Sequence, residues 1–262
     1  MSAFLYHGKV IHYESLGRGK PVLFLHGWLG SWRYWMPSMQ AASISYRAYA
    51  LDLIGYGESA RAEEDYSLEG QTALVDGFLE QMGIARVALI GHGLGAVVAL
   101  RFAMMYPQYV DRVMTVGFPF EVGSLHPRLK SAGLSDLVDW LAPKEPEYDA
   151  VRGDAAKGDA AALKTSLENL EDGELAALWQ HPGRVSLFVH GLQDAAVSPP
   201  REDMLNRLPL LAHAIGFETA GHFPMLDQSI RFHRLMVDFL TLESGESPRD
   251  LQVKDEWKRR VR

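Results

Sequence analysis

The segment Gly91-His92-Gly93-Leu94-Gly95 constrains this chain more than any other, because it joins a short apolar run directly to a helical pattern. The preceding residues, VALI, are typical of a buried strand, and LGAVVALRFAMMYP then continues with helical spacing as far as Pro107. Small residues on both sides of the centre are needed where a strand and a helix meet so closely. The sequence therefore predicts a sharp strand–turn–helix bend with residue 93 at its apex.

Strand and helix patterns alternate over most of the chain. FLYHGKVIHYES predicts a hairpin, and further strand patterns follow in the order PVLFLHG, YRAYALDL, RVALIG, VDRVMTVGF, RVSLFVHG and LAHAIGFETA. Helical patterns separate them, among them SLEGQTALVDGFLEQMG, PPREDMLNRLP and FPMLDQSIRFHRLMVDFL. Apolar strands that alternate with helices predict an α/β fold with a mostly parallel sheet of about eight strands, covered on both faces.

Residues 119–182 interrupt this alternation. The segment has no clear strand pattern, is rich in Ala, Asp and Glu, and contains helical patterns such as LSDLVDWLA and DAAALKTSLENLEDGELAALWQ. Because a structureless loop of this length is uncommon inside a compact domain, we predict a helical lid inserted over the sheet. The core then comprises residues 1–118 and 183–245, and residues 246–262 form a basic amphipathic C-terminal tail.

Composition excludes several classes of function. The 262 residues include no cysteine, which rules out disulfides, thiolate catalysis and cysteine-bound metal centres. The net charge is −7 with acidic and basic residues mixed along the chain, which argues against a nucleic-acid partner. No apolar run reaches the roughly 20 residues that span a bilayer, and no H-E-x-x-H metal motif occurs. We expect a soluble, cytoplasmic protein without a cofactor.

Five motifs stand in the order in which one superfamily carries them. FLHGWLGS is similar to an oxyanion-loop motif, LDLIGYGESA to D-x-x-G-x-G-x-S, and the bend at residue 93 to the G-x-S-x-G nucleophile elbow. VHGLQD then places Asp194 after a strand, and AGHFP places His222 before a helix. Over nearly the whole chain outside the lid and the tail, the sequence resembles the α/β-hydrolase superfamily, which includes esterases, epoxide hydrolases and haloalkane dehalogenases.

The resemblance implies a role for each matched residue. Asp194 matches the acid and His222 the base of the family's catalytic triad, and the backbone N–H groups of Trp28 and Leu94 match its oxyanion donors. At position 93 the family carries Ser, Asp or Cys. This chain has Gly93 instead, and a residue without a side chain cannot attack a carbonyl group.

Aromatic residues and a second acid complete the set of candidates. Carboxylates also favour helix N-termini, so Asp194 has a purely structural alternative role, and Glu121, after the preceding strand, is the backup acid. Asp52 is interpreted as a carboxylate that holds the glycine-rich turn. The candidate residues for the wall of an apolar pocket are Trp32, Trp140, Trp179 and Phe223.

Two further patterns have competing interpretations. Residues 91–96 also fit G-x-G-x-x-A with Asp111 twenty positions later, but Asp111 lies near the start of a strand rather than at its end, which disfavours a dinucleotide site. In the tail, Val253, Trp257 and Val261 recur every four residues among basic residues. This pattern predicts a short amphipathic helix that docks on its own domain or on a second subunit, and a homodimer through the lid or the tail stays open.

Gly93 leaves three functional hypotheses. The first is a hydrolase related to carboxylic-ester hydrolases, whose nucleophile was replaced and whose serine-type activity is absent or very low. The second is an enzyme in which the His222–Asp194 pair acts as a general base on water or on the substrate, without a covalent intermediate. The third is a non-catalytic protein that binds a small, largely apolar carbonyl or ester-like ligand in the retained pocket.

Overall fold

The computed structural model of the chain describes residues 2–243 and 245–253. Eight strands form a single sheet in the order β1-β2-β4-β3-β5-β6-β7-β8. In chain order the strands are β1 (Ser2–Tyr6), β2 (Lys9–Gly17), β3 (Lys20–Leu25), β4 (Tyr46–Leu51), β5 (Val87–His92), β6 (Val110–Val116), β7 (Val185–Gly191) and β8 (Ala212–Phe217).

The sheet is parallel except at its N-terminal edge. β1 pairs antiparallel with β2, and β2 pairs antiparallel with β4, whereas every pairing from β4 through β3 to β8 is parallel. The turn between β1 and β2 is made by His7 and Gly8, both at positive φ. Both the predicted hairpin and the predicted parallel sheet are therefore confirmed.

Helices cover the sheet on both sides. α1 packs against α11 on one side, and α2 packs against α3 on the other. Ser67 caps α2 by accepting a hydrogen bond from the Gly70 N–H, as the sequence predicts. The helices are α1 (Met36–Ala42), α2 (Leu68–Gln81), α3 (Leu94–Met105), α4 (Arg128–Ser131), α5 (Leu134–Leu141), α6 (Asp149–Ala155), α7 (Ala160–Glu168), α8 (Asp172–Gln180), α9 (Glu202–Leu205), α10 (Pro224–Asp227) and α11 (Ser229–Thr241).

The segment between β6 and β7 carries helices α4 to α8 and, apart from one isolated bridge between Leu125 and Val197, no β pairing. We call residues 119–182 the helical insertion. The sequence predicts one continuous helical pattern over its second half, but Glu171 has extended backbone angles and separates α7 from α8. Short 3₁₀ turns occur in the chain at Trp32–Trp35, Glu63–Asp65, Pro107–Tyr109, Val122–Ser124, Pro146–Tyr148 and Pro248–Asp250.

Two predicted helices are shorter than their patterns. The pattern over residues 199–209 gives only α9, because Pro200 disfavours helical angles at the preceding residue and Arg201 is still extended. The pattern over residues 223–240 is broken at Gln228, whose φ of −132° and ψ of 51° are not helical. Hydrophobic period marks a buried face, but it does not mark where a helix ends.

The described part of the tail forms a 3₁₀ turn rather than a longer helix. Arg249 donates from Nη2 to the Leu208 carbonyl oxygen at 3.0 Å, and Leu251 is buried. Val253 packs against the core, whereas Trp257 and Val261 lie outside the described residues. Within residues 2–243 and 245–253, the helices are too short or too polar to cross a membrane.

Candidate active site

The bend at residue 93 has the predicted strand–turn–helix geometry. Gly93 joins β5 to α3 with φ 49° and ψ −110°, and its N–H donates to the Val116 carbonyl oxygen at 2.9 Å. A Cβ atom on Gly91 would lie 2.1 Å from the Gly95 carbonyl oxygen. Strand and helix therefore approach so closely that the two flanking glycines are required by packing.

The indole of Trp28 lies beside the apex of this bend. A Cβ atom built on Gly93 would stand 3.0 Å from Trp28 Cε3 and 3.1 Å from Cζ3. Trp28 is 1% exposed, and its Nε1–H donates to Ser166 Oγ of α7 at 3.1 Å. A side chain at position 93 would therefore need the indole to shift by a few tenths of an ångström, in addition to accepting a positive φ.

Asp194 and His222 are brought together next to this bend. His222 Nδ1 lies 2.9 Å from Asp194 Oδ2 and 3.1 Å from Oδ1. The other bonds to Asp194 Oδ1 come from the backbone N–H groups of Ala196 and Val197. Burial alone would raise the pKa of Asp194, but the neighbouring imidazole and these hydrogen bonds outweigh it, so the pKa lies below its usual value. The carboxylate is therefore charged and fixes His222 with Nδ1 towards it.

The second ring nitrogen of His222 is left for chemistry. Nε2 makes no hydrogen bond to any part of the chain that the structure describes, while the side chain as a whole is only 1% exposed. The Phe223 ring packs edge-on against the imidazole, with ring centroids 5.0 Å apart. A neutral imidazole whose Nδ1–H is held by a carboxylate presents a basic Nε2.

The two predicted oxyanion donors are the backbone N–H groups of Trp28, in the loop after β3, and of Leu94, the first residue of α3. Within residues 2–243 and 245–253, the N–H groups of Trp28 and Leu94 donate no hydrogen bond. His26 Nδ1–H donates to the Gly27 carbonyl oxygen at 2.8 Å, and His26 Nε2 accepts from the Leu53 N–H at 3.0 Å. Since the carbonyl and the N–H of one trans peptide point in opposite directions, this bond also fixes the direction of the Trp28 N–H.

The helical insertion contacts this loop through polar groups. Ser31 Oγ donates to Asp154 of α6, and Arg33 Nε lies 3.2 Å from the same carboxylate. Asp154 is 3% exposed although it lies in the insertion. The insertion is therefore joined to the loop after β3 at α6 as well as at Ser166.

The predicted aromatic pocket residues occupy different places. Phe223 lies against His222, and Trp179 packs on Phe120 with ring centroids 5.4 Å apart. Trp140 and Trp32 lie against other residues. Trp140 stacks with His126 and Arg128, and Trp32 packs beside His12.

The two other carboxylates named from the sequence have their own partners. The backup acid Glu121 forms an ion pair with Arg201 at 2.6 Å, whereas Asp194 is the acid in contact with His222. Asp52 accepts from the backbone N–H of Trp32 at 2.8 Å and of Glu58 at 3.0 Å, which is the turn-holding role expected from the sequence.

Sequence reasoning missed two buried polar groups near the site. His12 Nδ1 contacts Asp52 Oδ2 at 2.9 Å, and no motif links these residues. His92 fills the variable position of the elbow motif, yet it is fully buried and its ring centroid lies 4.6 Å from that of His222. Within the part of the chain that the structure describes, no cluster of three or more His, Asp or Glu side chains is arranged to hold a metal ion.

Comparison with known proteins supports the fold. A family model described as "alpha/beta hydrolase fold" matches residues 20–142. Epoxide hydrolase 4 of Mus musculus is 36% identical over 116 residues, which are 43% of this chain and 32% of that protein. The chain thus spans only about a third of that relative's length.

Other relatives match over their whole length. The 2-hydroxy-6-oxo-2,4-heptadienoate hydrolase of Pseudomonas putida is 27% identical over 265 residues, covering 88% of this chain and 92% of that enzyme. Among solved structures, the enol-lactonase from Burkholderia xenovorans LB400 superposes with a TM-score of 0.78 and 19% identity, covering 92% of this chain and 100% of that one. At such identity the structural likeness concerns the fold alone.

Proposed function

We propose that this chain, which belongs to the α/β-hydrolase superfamily, is an enzyme. In this enzyme the His222–Asp194 pair acts as a general base without a covalent intermediate. The observation that carries the proposal is the combination of Gly93, which offers no attacking atom, with a buried pair whose Nδ1···Oδ2 distance is 2.9 Å. A base needs an orienting acid and a free nitrogen, and both requirements are met.

Each group has a defined task in this proposal. His222 Nε2 takes a proton from a water molecule or from the substrate, and Asp194 stabilises the imidazolium that results. The N–H groups of Trp28 and Leu94 point their unused donors at a developing oxyanion. Removing the serine of such a triad costs about a millionfold in rate, so serine-type esterase turnover through position 93 is absent or very low.

The proposed substrate is a small, largely apolar carbonyl or ester-like compound. Relatives of this chain are named as hydrolases of 2-hydroxy-6-oxo dienoates and of epoxides, and Phe223 supplies an apolar wall next to His222. We further propose that the helical insertion acts as a lid. The side chains of His222 and Asp194 are only 1% and 2% exposed. The contacts of the insertion at Ser166 and Asp154 would therefore break to admit the ligand to them.

Activity assays with the purified chain test this proposal. The substrates are a p-nitrophenyl ester, an epoxide and 2-hydroxy-6-oxo-2,4-heptadienoate, each with the wild type, His222→Ala and the control His213→Ala. We expect turnover of at least one substrate that His222→Ala lowers about 100- to 10,000-fold and His213→Ala leaves unchanged. Ligand binding by calorimetry without turnover, equal in all three proteins, would instead support the non-catalytic alternative.

A further inference from the structure

His92, the residue before the elbow apex, lies in a chain of hydrogen bonds that joins both halves of the candidate site. The Gly27 N–H donates to Tyr34 Oη at 2.7 Å, Tyr34 Oη lies 2.9 Å from His92 Nδ1, and His92 Nε2 lies 3.0 Å from the His222 carbonyl oxygen. These three contacts connect the loop after β3, the 3₁₀ turn at Trp32–Trp35, the end of β5 and the loop before α10.

The direction of each of these three hydrogen bonds follows from the donor and acceptor groups that take part in it. A carbonyl oxygen only accepts, so His92 Nε2 must carry a proton and donate to His222. A neutral imidazole protonated at Nε2 has a lone pair at Nδ1, so the Tyr34 hydroxyl donates its proton to His92 Nδ1. Burial, with a further effect from the nearby His222, holds the pKa of His92 well below its usual value. The imidazole is therefore neutral, with a single N–H at Nε2.

The packing around the network leaves little freedom for alternatives. His92 and Tyr34 are 0% and 1% exposed, and the Tyr34 ring stands edge-on to the His92 ring at 5.7 Å. A Cβ atom on Gly27 would lie 2.8 Å from His92 Nδ1, so only glycine permits this approach. Phe223 contacts both rings, at 5.1 Å from His92 and 5.6 Å from Tyr34.

We infer that His92 and Tyr34 are positioning residues, which set the backbone of His222 and the oxyanion loop relative to one another. The inference rests on the proposed function for its kinetic consequences, but not for its geometry. The support from His92 and Tyr34 matters more in this chain than in a relative with a nucleophile, because Gly93 offers no side chain to hold His222 from the other side. The base is then held by Asp194 at its ring and by His92 at its backbone.

Nitrogen-15 NMR of the histidine rings tests the geometry without any substrate. In the wild type, His92 should show a protonated Nε2 and an unprotonated Nδ1 at neutral pH. In Tyr34→Phe the ring-nitrogen chemical shifts of His222 should change, and in the matched control Tyr13→Phe they should not. A His92 ring protonated at Nδ1, or identical His222 chemical shifts in both variants, would overturn the inference.

Kinetics then test the consequence for catalysis. Tyr34→Phe should lower kcat about tenfold while KM changes less than twofold. His92→Phe should lower kcat about a hundredfold, and His92→Gln, which keeps one donor and one acceptor, should recover most of that loss. Equal kcat for His92→Phe and wild type, with circular dichroism showing both folded, contradicts the inference. A wild type without any turnover defeats the proposed function only, because the NMR result stands by itself.

Discussion

Among the residues that the structure describes, two buried histidine–aspartate pairs have the same Nδ1···Oδ2 distance of 2.9 Å, His222–Asp194 and His12–Asp52. Both pairs are shielded from solvent, with side chains 1% and 2% exposed in the first and 4% and 0% exposed in the second. The pairs differ at the second ring nitrogen. His12 Nε2 faces the Glu14 carboxylate at 3.3 Å, whereas His222 Nε2 meets no acceptor within the described residues.

That difference separates a structural pair from a chemical one. Burial alone would lower the pKa of His12, but Asp52 and Glu14 outweigh it, so its pKa is raised and the imidazolium is favoured. Both ring nitrogens of His12 are in contact with carboxylates, so neither is free to act as a base. Its partner Asp52 instead holds the Trp32 and Glu58 N–H groups. The same two residue types thus anchor a loop in one place and leave a free base in the other.

The largest expected effect is on activity and falls on one pair only. His222→Ala should lower kcat/KM about 100- to 10,000-fold, because the proton acceptor is lost, and should also lower the urea midpoint, because the buried Asp194 carboxylate loses its imidazole partner. His12→Ala should lower the urea midpoint and leave kcat/KM nearly unchanged. Steady-state kinetics and urea unfolding of both variants measure this. Equal losses of activity without loss of stability would erase the distinction between the pairs.

Asp52→Ala should have the largest effect on stability. It leaves the buried His12 ring with one carboxylate partner fewer and removes the acceptor of two backbone N–H groups, so we expect a loss of about 3–5 kcal/mol. Asp203→Ala is the control, because its ion pair with Arg201 is exposed and solvent screens such pairs, so its loss should change the stability little. Similar urea midpoints for the two variants would show that the buried pair does not anchor the loop.

Gly93→Ala should cost less and should reveal the Trp28 contact. A side chain at positive φ costs about 1–2 kcal/mol, and a Cβ atom here would also press on the indole at 3.0 Å. Gly8→Ala is the matched control, since Gly8 has φ 79° and no atom within 4 Å of the Cβ position. The unfolding free energy should fall further for position 93 than for position 8. A Gly93→Ala protein as stable as Gly8→Ala would mean that Trp28 moves away freely.

The smallest expected effect is a dependence of stability on pH. Because the folded pKa of His12 is raised, the pair's contribution is complete below about pH 6.5 and is lost as the pH rises through the folded value. Asp194 has a lowered pKa, so its contribution is lost only in acid, below about pH 4. The Tm gap between wild type and His12→Gln should therefore be wider at pH 6 than at pH 9. A Tm gap that widens with rising pH would show that folding lowers the pKa of His12 instead of raising it.

The sequence predicts the fold well because its signals are local. Apolar strands, the Ser67 cap and the glycines around residue 93 each act within a few positions, and the structure has the elements they indicate. Where tertiary contacts set an end, as at Gln228, the hydrophobic period carried no information.

The site is predicted only where a motif names its residue. Motif order indicated that Asp194 and His222 would meet, and they lie in contact. The pairs His12–Asp52 and Tyr34–His92 join residues 40 and 58 positions apart, and no local pattern specifies them. Such contacts arise when buried polar groups find partners in the packed chain. The Trp28 indole beside Gly93 is likewise a product of packing.

Intact-mass spectrometry of the protein, quenched during turnover of a p-nitrophenyl ester or another accepted substrate, tests most directly whether the His222–Asp194 pair works without a covalent intermediate. We expect the chain to keep its unmodified mass while product accumulates, with no initial burst of p-nitrophenolate. A substrate-derived mass increase in a stoichiometric fraction of the chains, formed at the rate of turnover, would contradict it.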